Sequence, residues 1–158
     1  MIIAQSEKSM KCDICGYVYF HNAAAAVGGI ILYKDSLVLI RRGHDPGKGM
    51  LDLPGGFVDY RESAEEALKR EVKEEINLDV AQLNYFGSAS NVYTYKGVTY
   101  FTSDVFYLIR VDSVDSFIPT DEVPELVLAD PLTIDTEQLA FESAKVMIKQ
   151  YCNTIKKK

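Results

Sequence analysis

The sequence predicts a single α/β domain, and three observations support that prediction. Its 158 residues are enough for one domain with a full core and too few for two ordinary domains. Hydrophobic residues make up 47% of the chain and charged residues 25%, as in folded globular proteins. Strand patterns stand before, between and after two helical patterns, which is the order expected of a layered α/β domain.

The first strands follow a polar leader, residues 1–22. The segments AVGGIILY and SLVLIRR are apolar and predict two strands joined by a turn at residues 34–36. The next segment, GHDPGKGMLDLPGG, contains five Gly and two Pro, so we expect an irregular connection there.

The first helix is predicted to begin at Glu62 or Ser63 and to end at Ile76. Apolar residues recur at helical spacing along it, which indicates one buried stripe. The members of this stripe are Ala64, Ala67, Leu68, Val72 and Ile76. Asn77 follows, and Asn tolerates the left-handed conformation that ends many helices.

The second half of the chain predicts further strands and a final helix. Residues 98–111 are rich in β-branched and aromatic residues and predict one long strand or two shorter ones. The segment FIPTDEVPELVLADP predicts a loop that contains a short strand. A cap at Asp135 or Thr136 predicts the start of the last helix, which we expect to end near Ile155.

Charge and composition exclude several classes of function. A net charge of −6 argues against sequence-independent nucleic-acid binding, which relies on a basic surface. Phosphate substrates stay open, because a divalent metal can supply positive charge locally. Apolar runs stay well below the roughly 20 residues that span a bilayer, so no membrane contact is expected. The start of the chain lacks a secretory pattern, and we expect a cytoplasmic protein.

Three glutamates of the first helix do not fit a simple solvated face. At about 100° per residue, Glu71 and Glu75 fall within the apolar arc, and Glu74 lies at its edge. Inward-facing carboxylates are costly unless they are neutralised or bind a cation. Oxygen ligands on one rigid face suit a hard ion, so this pattern predicts a site for Mg²⁺ or Mn²⁺.

Glycine and charged residues form one spaced pattern from Gly56 to Leu78. Its members are Gly56, Glu62, Arg70, Glu71, Glu74 and Glu75. Their spacing resembles the Nudix box, G-x5-E-x7-R-E-U-x-E-E-x-G-U, in which U is bulky and aliphatic. Six of the seven Gly or charged positions agree, and the exception is Asn77 in place of the last Gly. Because Asn tolerates the same backbone conformation, we expect little functional consequence.

The resemblance to the Nudix hydrolase family extends beyond the box. The segment DLPGG before it, the two leading strands and a late acidic loop are also similar to that family. The resemblance implies one Nudix hydrolase domain over residues 23–158, with an α/β/α sandwich around a mixed β-sheet. It implies hydrolysis of a diphosphate linkage in a nucleoside diphosphate joined to another group.

The resemblance also implies roles for residues of the box. The implied metal ligands are Glu71, Glu74, Glu75 and the Gly55 carbonyl oxygen. Glu62 and Arg70 are implied to form an ion pair that supports the site. At Gly55 and Gly56, the missing Cβ lets backbone and phosphate approach closely.

The general base differs between branches of the family, and the sequence leaves it open. Glu122, in the late acidic loop, is the first choice, and Glu75 is the alternative. Glu74 is counted among the catalytic residues as an implied metal ligand and not as a candidate base. Glu122 also fits the description of an ordinary exposed loop acid.

Five residues are candidates for substrate contacts. Arg41 and Arg42 end the second strand, and strand alternation places at most one of them toward a substrate phosphate. Phe57, Tyr93 and Tyr95 could stack on a base, although ordinary strand aromatics would look the same in this sequence.

The leader contains a short cysteine motif, CDIC followed by Gly. It resembles half of the zinc ribbon that some NADH-pyrophosphatase-like members carry, so residues 1–22 are a zinc-knuckle-like leader. Structural zinc usually has four ligands. Cys12, Cys15 and His21 supply three candidates, and Cys152 or His44 could be the fourth only if the fold brings it close. A shortened ribbon that keeps only its turn is the competing interpretation.

These observations favour a metal-dependent hydrolase of a small nucleotide such as ADP-ribose, a sugar nucleotide, a dinucleotide or a dinucleoside polyphosphate. The alternative is a non-catalytic Nudix-like module that binds a nucleotide as a sensor. The complete set of box carboxylates argues against this alternative, because a binder has no need of a full metal shell. The sequence leaves open whether the protein forms a homodimer.

Overall fold

The computed structural model describes residues 2–6 and 8–156, the first of these segments through its backbone alone. Its strands are β1 (Ile2–Ser6), β2 (Ser9–Cys12), β3 (Val18–Phe20), β4 (Ala24–Tyr33), β5 (Ser36–Arg41), β6 (Leu51–Asp52), β7 (Gly55–Phe57), β8 (Asn84–Tyr95), β9 (Val98–Val111) and β10 (Glu125–Ala129). Its helices are α1 (Ala64–Ile76), α2 (Glu142–Ile155) and a 3₁₀ turn at Thr136–Gln138.

The main sheet is mixed, as predicted. Its central order is β10–β5–β4–β9–β8, while β6 pairs with β5 and β7 pairs with β4. The β4 and β9 strands are parallel, whereas the neighbouring pairs β4–β5 and β8–β9 are antiparallel. Since β4 pairs with both β9 and β7, it brings the glycines of β7 close to the middle of β9.

Each face of this sheet carries one helix. Along β4, Ile31 packs in the cluster that contains Val72 of α1, whereas Ile30 packs in the cluster that contains Ile148 of α2. This alternation follows from the two-residue period of a strand. The result is a helix–sheet–helix sandwich, which confirms the predicted fold class. No described helix is both long enough and apolar enough to cross a membrane.

The ends of α1 match the sequence prediction closely. Ser63 caps the helix, and its hydroxyl accepts a hydrogen bond from the N–H of Glu66 while the Glu66 carboxylate accepts one from Ser63 N–H. Asn77 ends it with φ of 54°, and its N–H donates to the Lys73 carbonyl. The predicted stripe is on the buried side of the helix, which fixes the direction of the remaining side chains.

The last helix begins later than predicted. Asp135 does cap a helical turn, but that turn is the short 3₁₀ element, and α2 starts only at Glu142. Between them, Leu139 forms a bridge with Leu51, and the N–H of Ala140 donates to the Leu51 carbonyl at 2.9 Å. This extended pairing interrupts the helix, and a local cap signal carries no information about it.

Two groups of strands were not predicted. The β8 strand pairs with the full length of β9 through a tight turn in which Lys96 and Gly97 both have positive φ. The polar leader also folds, because β1, β2 and β3 form an antiparallel sheet of their own. By contrast, β9 covers the whole of residues 98–111, and β10 is the short strand expected inside the late loop.

Candidate active site

A cavity of about 280 Å³ opens where β4, β7 and the middle of β9 meet. Its walls also include α1, the segment around Asp52, the loop at Glu122 and the start of α2. Several carboxylates and four aromatic rings share it. A concave site with converging polar groups is the arrangement expected of a small-molecule site.

Three of the four predicted metal ligands, Gly55, Glu71 and Glu75, line the cavity, and the fourth, Glu74, is more exposed. The Glu75 carboxylate accepts a hydrogen bond from the N–H of Gly55 at 2.9 Å. Burial raises the pKa of Glu75 well above its usual value, and the negative charges of Glu71, Asp52 and Glu122 raise it further. Burial also raises the pKa of Glu71. The site therefore gathers negative charge that it does not neutralise fully.

The two glycines of β7 have different reasons to lack a side chain. Gly55 has φ of 152°, and a Cβ there would overlap the Val27 carbonyl oxygen. A Cβ on Gly56 would overlap the Glu71 carboxylate. The pair thus allows β7 to pass close to both β4 and α1, and it leaves the backbone exposed to the cavity.

Arg70 holds the loop before α1 against the helix. It forms a two-pronged pair with Glu62, with Nε at 3.0 Å from Oε1 and Nη2 at 2.9 Å from Oε2. Its Nη2 also donates to the Phe57 carbonyl at 3.1 Å. The two residues are thus in contact, and their role in supporting the site stays a prediction. The hydrogen bond from Arg70 lowers the pKa of Glu62, so the pair is charged over the neutral range.

Arg70 also contacts two of the predicted ligands, through Nη1 at 2.8 Å from Glu71 and 3.2 Å from Glu74. Within residues 8–156, no three His, Cys, Asp or Glu side chains already converge closely enough to hold an ion. The donor chemistry still fits a hard divalent cation, because Glu75 is a buried carboxylate surrounded by like charges. Glu71 would exchange its Arg70 contact for such an ion.

Arg41 ends β5 and Arg42 follows it, and the two side chains point to different places, as strand alternation predicted. Arg42 lines the cavity, where its Nη1 donates to Asp52 Oδ2 at 2.9 Å and its guanidinium lies 4.8 Å from the Phe141 ring centroid. Arg41 instead pairs with Glu125 and donates to the Gly49 carbonyl. Only Arg42 is therefore in a position to meet a ligand in this cavity.

Aromatic rings line another part of the cavity. Phe57 and Tyr93 are both in its wall, with ring centroids 5.4 Å apart, and Phe141 lies 5.6 Å from Tyr93. Tyr95, the third predicted aromatic, lies outside the cavity, in a shallower groove beside residues 44–47.

Several cavity residues were not singled out from the sequence: Asp52, Thr102, Asp104 and Phe141. Burial raises the pKa of Asp52 to about 6, against the lowering effect of Arg42. Asp104 offered a signal, because it is a lone carboxylate within a strand of β-branched and aromatic residues. Phe141 offered none, since it is in a segment predicted as helix interior.

The cysteine motif of the leader keeps the shape of a knuckle. The N–H of Gly16 donates to the Cys12 carbonyl at 2.9 Å, and hydrogen bonds from the backbone at Cys15 and Ile14 lower the pKa of Cys12. Cys152 is in α2 and donates to the Pro131 carbonyl. No group of three metal-binding side chains is assembled around the knuckle in the described part of the chain, so a zinc site stays a prediction.

Comparison with known proteins agrees with this geometry. The sequence model of the family described as NUDIX domain matches residues 22–150. An ADP-ribose pyrophosphatase from Methanocaldococcus jannaschii is 46% identical over 68 residues, which cover 43% of this chain and 40% of that protein. An NAD-capped RNA hydrolase, NudC, from Haemophilus influenzae is 30% identical over 95 residues, covering 53% of this chain and 33% of that protein. The chain thus matches two fifths or less of these relatives' length.

Solved structures resemble the chain over most of its length. A NUDIX hydrolase from Nitrosomonas europaea superposes with a TM-score of 0.72 at 23% identity, covering 92% of this chain and 78% of that one. An Ap4A hydrolase from C. elegans superposes with a TM-score of 0.66 at 20% identity, covering 86% of this chain and all of that one. At this level of identity, the likeness establishes the fold alone.

Proposed function

The chain belongs to the NUDIX family, and from that premise we propose that it is a divalent-metal-dependent pyrophosphohydrolase. It would cleave the diphosphate linkage of a nucleoside diphosphate joined to another group. The observation that carries the proposal is the gathering of Glu71, Glu75 and Glu122 around one cavity, beside the exposed backbone of Gly55.

The proposed metal ligands are the carboxylates of Glu71, Glu74 and Glu75 with the carbonyl oxygen of Gly55. A bound Mg²⁺ or Mn²⁺ neutralises phosphate charge and lowers the pKa of bound water. The protein's own part is to keep these acidic groups rigid. The Glu62–Arg70 pair ties the loop before α1 to the helix, and the hydrogen bonds Gly55–Glu75 and Arg70–Phe57 tie β7 to the same helix.

Glu122 is the proposed general base. Its side chain is exposed at the rim of the cavity, where it can pass a proton to solvent. Its backbone is anchored, because the N–H of Gly43 donates to the Glu122 carbonyl at 2.8 Å and the neighbouring Val123 is fully buried. Glu75 suits this role less well, since it is buried and already accepts the hydrogen bond from Gly55.

The proposed substrate class follows from the relatives as well as the cavity. One relative is named for ADP-ribose and the other for NAD-capped RNA. Both of these molecules contain a diphosphate attached to a nucleoside. The cavity offers carboxylates at one side and aromatic rings at the other, which suits a molecule with a phosphate part and a flat base. ADP-ribose is therefore the first substrate to test.

A nucleotide-binding module without catalysis is the second candidate. It is favoured by the ion pairs that Arg70 forms with Glu71 and Glu74 in the described structure. A binder would keep this ion-paired arrangement with ligand present, whereas an enzyme would release Glu71 when a cation binds.

A hydrolysis panel distinguishes the two candidates. The protein is incubated with Mg²⁺ and ADP-ribose, NADH, sugar nucleotides, dinucleoside polyphosphates or nucleoside triphosphates, and products are separated by chromatography. Glu74→Gln is the test variant, and Glu137→Gln, an exposed acid outside the cavity, is the matched control. Turnover that Glu74→Gln lowers and Glu137→Gln keeps supports the enzyme. Tight binding with every nucleotide recovered unchanged supports the binder.

A further inference from the structure

Two buried polar side chains in the cavity lack a partner. Thr102 and Asp104 are only 3% and 6% exposed, yet Thr102 Oγ1 and Asp104 Oδ1 make no hydrogen bond within the described residues. Both residues line the cavity. Since buried polar atoms are nearly always paired in folded proteins, two neighbouring exceptions that face one cavity point to a ligand.

Small residues leave open space around Asp104. In the sheet, Asp104 is opposite Ala26 of β4 on one side and Ala89 of β8 on the other. Two residues along β9, on the same face, Phe106 is opposite Gly28 and Gly87. Side chains directly opposite one another share a face of the sheet. The Phe106 ring covers Gly28 and lines the cavity, so the two alanines leave a recess with the Asp104 carboxylate in its wall and this ring at one end.

The opposite wall of this recess is aromatic. Ala26 is opposite Phe57 of β7 as well as Asp104 of β9, so the ring and the carboxylate are on either side of one alanine. The two strands that carry them are two strand spacings apart, roughly 10 Å. With Tyr93 and Phe141 beside Phe57, this gap suits a flat ring more than a sugar.

The recess and the proposed phosphate site are parts of one cavity, but different strands carry them. Glu75 meets the backbone of β7 at Gly55, whereas Asp104 is on β9, beyond β4. A phosphate placed beside Asp104 would be repelled by its carboxylate. A neutral group that carries N–H donors would instead satisfy Oδ1, so the recess suits the nucleoside end of a substrate whose phosphates lie near Glu75.

We propose that this recess recognises an adenine base, with Asp104 accepting from the amino group and Thr102 donating to a neighbouring ring nitrogen. Adenine presents a donor directly beside an acceptor, which complements a carboxylate beside a hydroxyl. Hypoxanthine presents the reverse pattern, with an oxo group in place of the amino group. The assignment rests on the proposed function only for the placement of the phosphates.

Binding of AMP and IMP tests this assignment without requiring hydrolysis. The two ligands share ribose and phosphate and differ only in the base edge. Calorimetric titration of the full chain is expected to give AMP a Kd at least about tenfold lower than IMP. Asp104→Asn should reduce this ratio to within about threefold, because an amide can either donate or accept. Thr102→Val should weaken AMP binding several-fold, and Asp112→Asn, an exposed acid beyond β9, should change nothing.

Several results would overturn the assignment. They are equal binding of AMP and IMP by the wild type, no binding of either, or a preference that survives Asp104→Asn in folded protein. Titration with 2′-deoxy-AMP distinguishes a contact of Asp104 to the base from one to the ribose. If Asp104 contacts the ribose instead, Asp104→Asn would alter the ratio of the Kd values of AMP and 2′-deoxy-AMP, and this result would overturn the assignment. Failure of hydrolysis with the AMP preference intact would contradict only the proposed function. Hydrolysis without a preference for AMP over IMP in binding would contradict only the assignment of adenine recognition to the recess.

Discussion

Glu75 on α1 accepts a hydrogen bond from the backbone N–H of Gly55 on β7, at 2.9 Å. This contact joins the helix that carries the proposed acidic ligands to the strand that borders the cavity. It also places a buried carboxylate against a backbone position that only glycine occupies without overlap.

Replacement of Gly55 by Ala should be costly. The new Cβ would overlap the Val27 carbonyl and would sit at φ of 152°, so we expect a loss of roughly 3 kcal/mol in unfolding free energy. Gly49→Ala is the matched control, because it also has positive φ but has open space around it. It should lose only about 1 kcal/mol. Urea unfolding measures both, and equal losses would contradict the close approach of β7 to β4.

Replacement of Arg70 by Lys should weaken the site while the fold survives. Lys keeps the charge but cannot form the two-pronged pair with Glu62, so the loop at β7 would lose its support. We expect kcat/KM to fall about 10- to 100-fold. Lys73 is on the same helix as Arg70, and Lys73→Ala removes only an exposed ion pair with Asp79, which lies beyond the helix, so kcat/KM should stay unchanged. Full activity in Arg70→Lys would show that the two-pronged pair with Glu62 is not needed for catalysis.

Replacement of Glu122 by Gln should slow the chemical step without abolishing metal binding. If Glu122 is the base, kcat should fall by about 10²- to 10⁴-fold, while the Mg²⁺ concentration at half-maximal rate changes little. Glu125→Gln is the control from the same part of the chain, since Glu125 pairs with Arg41 outside the cavity. Unchanged kcat in Glu122→Gln would move the role of base to Glu75.

Asp52 should make the metal-free protein less stable as pH rises. Its pKa is raised from 3.8 to about 6, mainly by burial, so the folded state binds more protons than the unfolded state between these values. The unfolding free energy should therefore fall by about 2 kcal/mol between pH 4 and pH 6, and the full change of about 3 kcal/mol is complete only above pH 7. Asp52→Asn should remove this contribution to the dependence of unfolding free energy on pH, whereas Asp112→Asn should retain it. Denaturant unfolding in a chelator measures this, and an identical slope in Asp52→Asn would contradict the effect.

The parts of the site that could be predicted follow from patterns within one segment of the sequence. The direction of Glu71 and Glu75 follows from helical spacing, and the capping residues of α1 follow from local hydrogen bonding. Asp104 and Phe141 depend on contacts between distant segments. Asp104 enters the cavity only because β9 pairs in parallel with β4, and Phe141 enters because residues 139–140 pair with β6 instead of continuing a helix. No pattern within either segment indicates these pairings.

The engagement of Arg70 with Glu71 and Glu74 was also not predictable from spacing. The resemblance to the box implied the pair between Arg70 and Glu62, and it did not say that Glu71 and Glu74 would contact the same arginine. The structure gives Arg70 contacts with Glu62, Glu71 and Glu74 together. A cation would therefore compete with an arginine that the same motif supplies.

The rate of ADP-ribose hydrolysis as a function of Mg²⁺ concentration tests the central claim most directly. For the wild type and for Glu137→Gln, the account predicts no turnover in a chelator and a rate that saturates as Mg²⁺ is added. For Glu75→Gln, it predicts a rate at least about 100-fold lower at every concentration. Full turnover in the chelator, or a Glu75→Gln variant that keeps the wild-type rate, would contradict it.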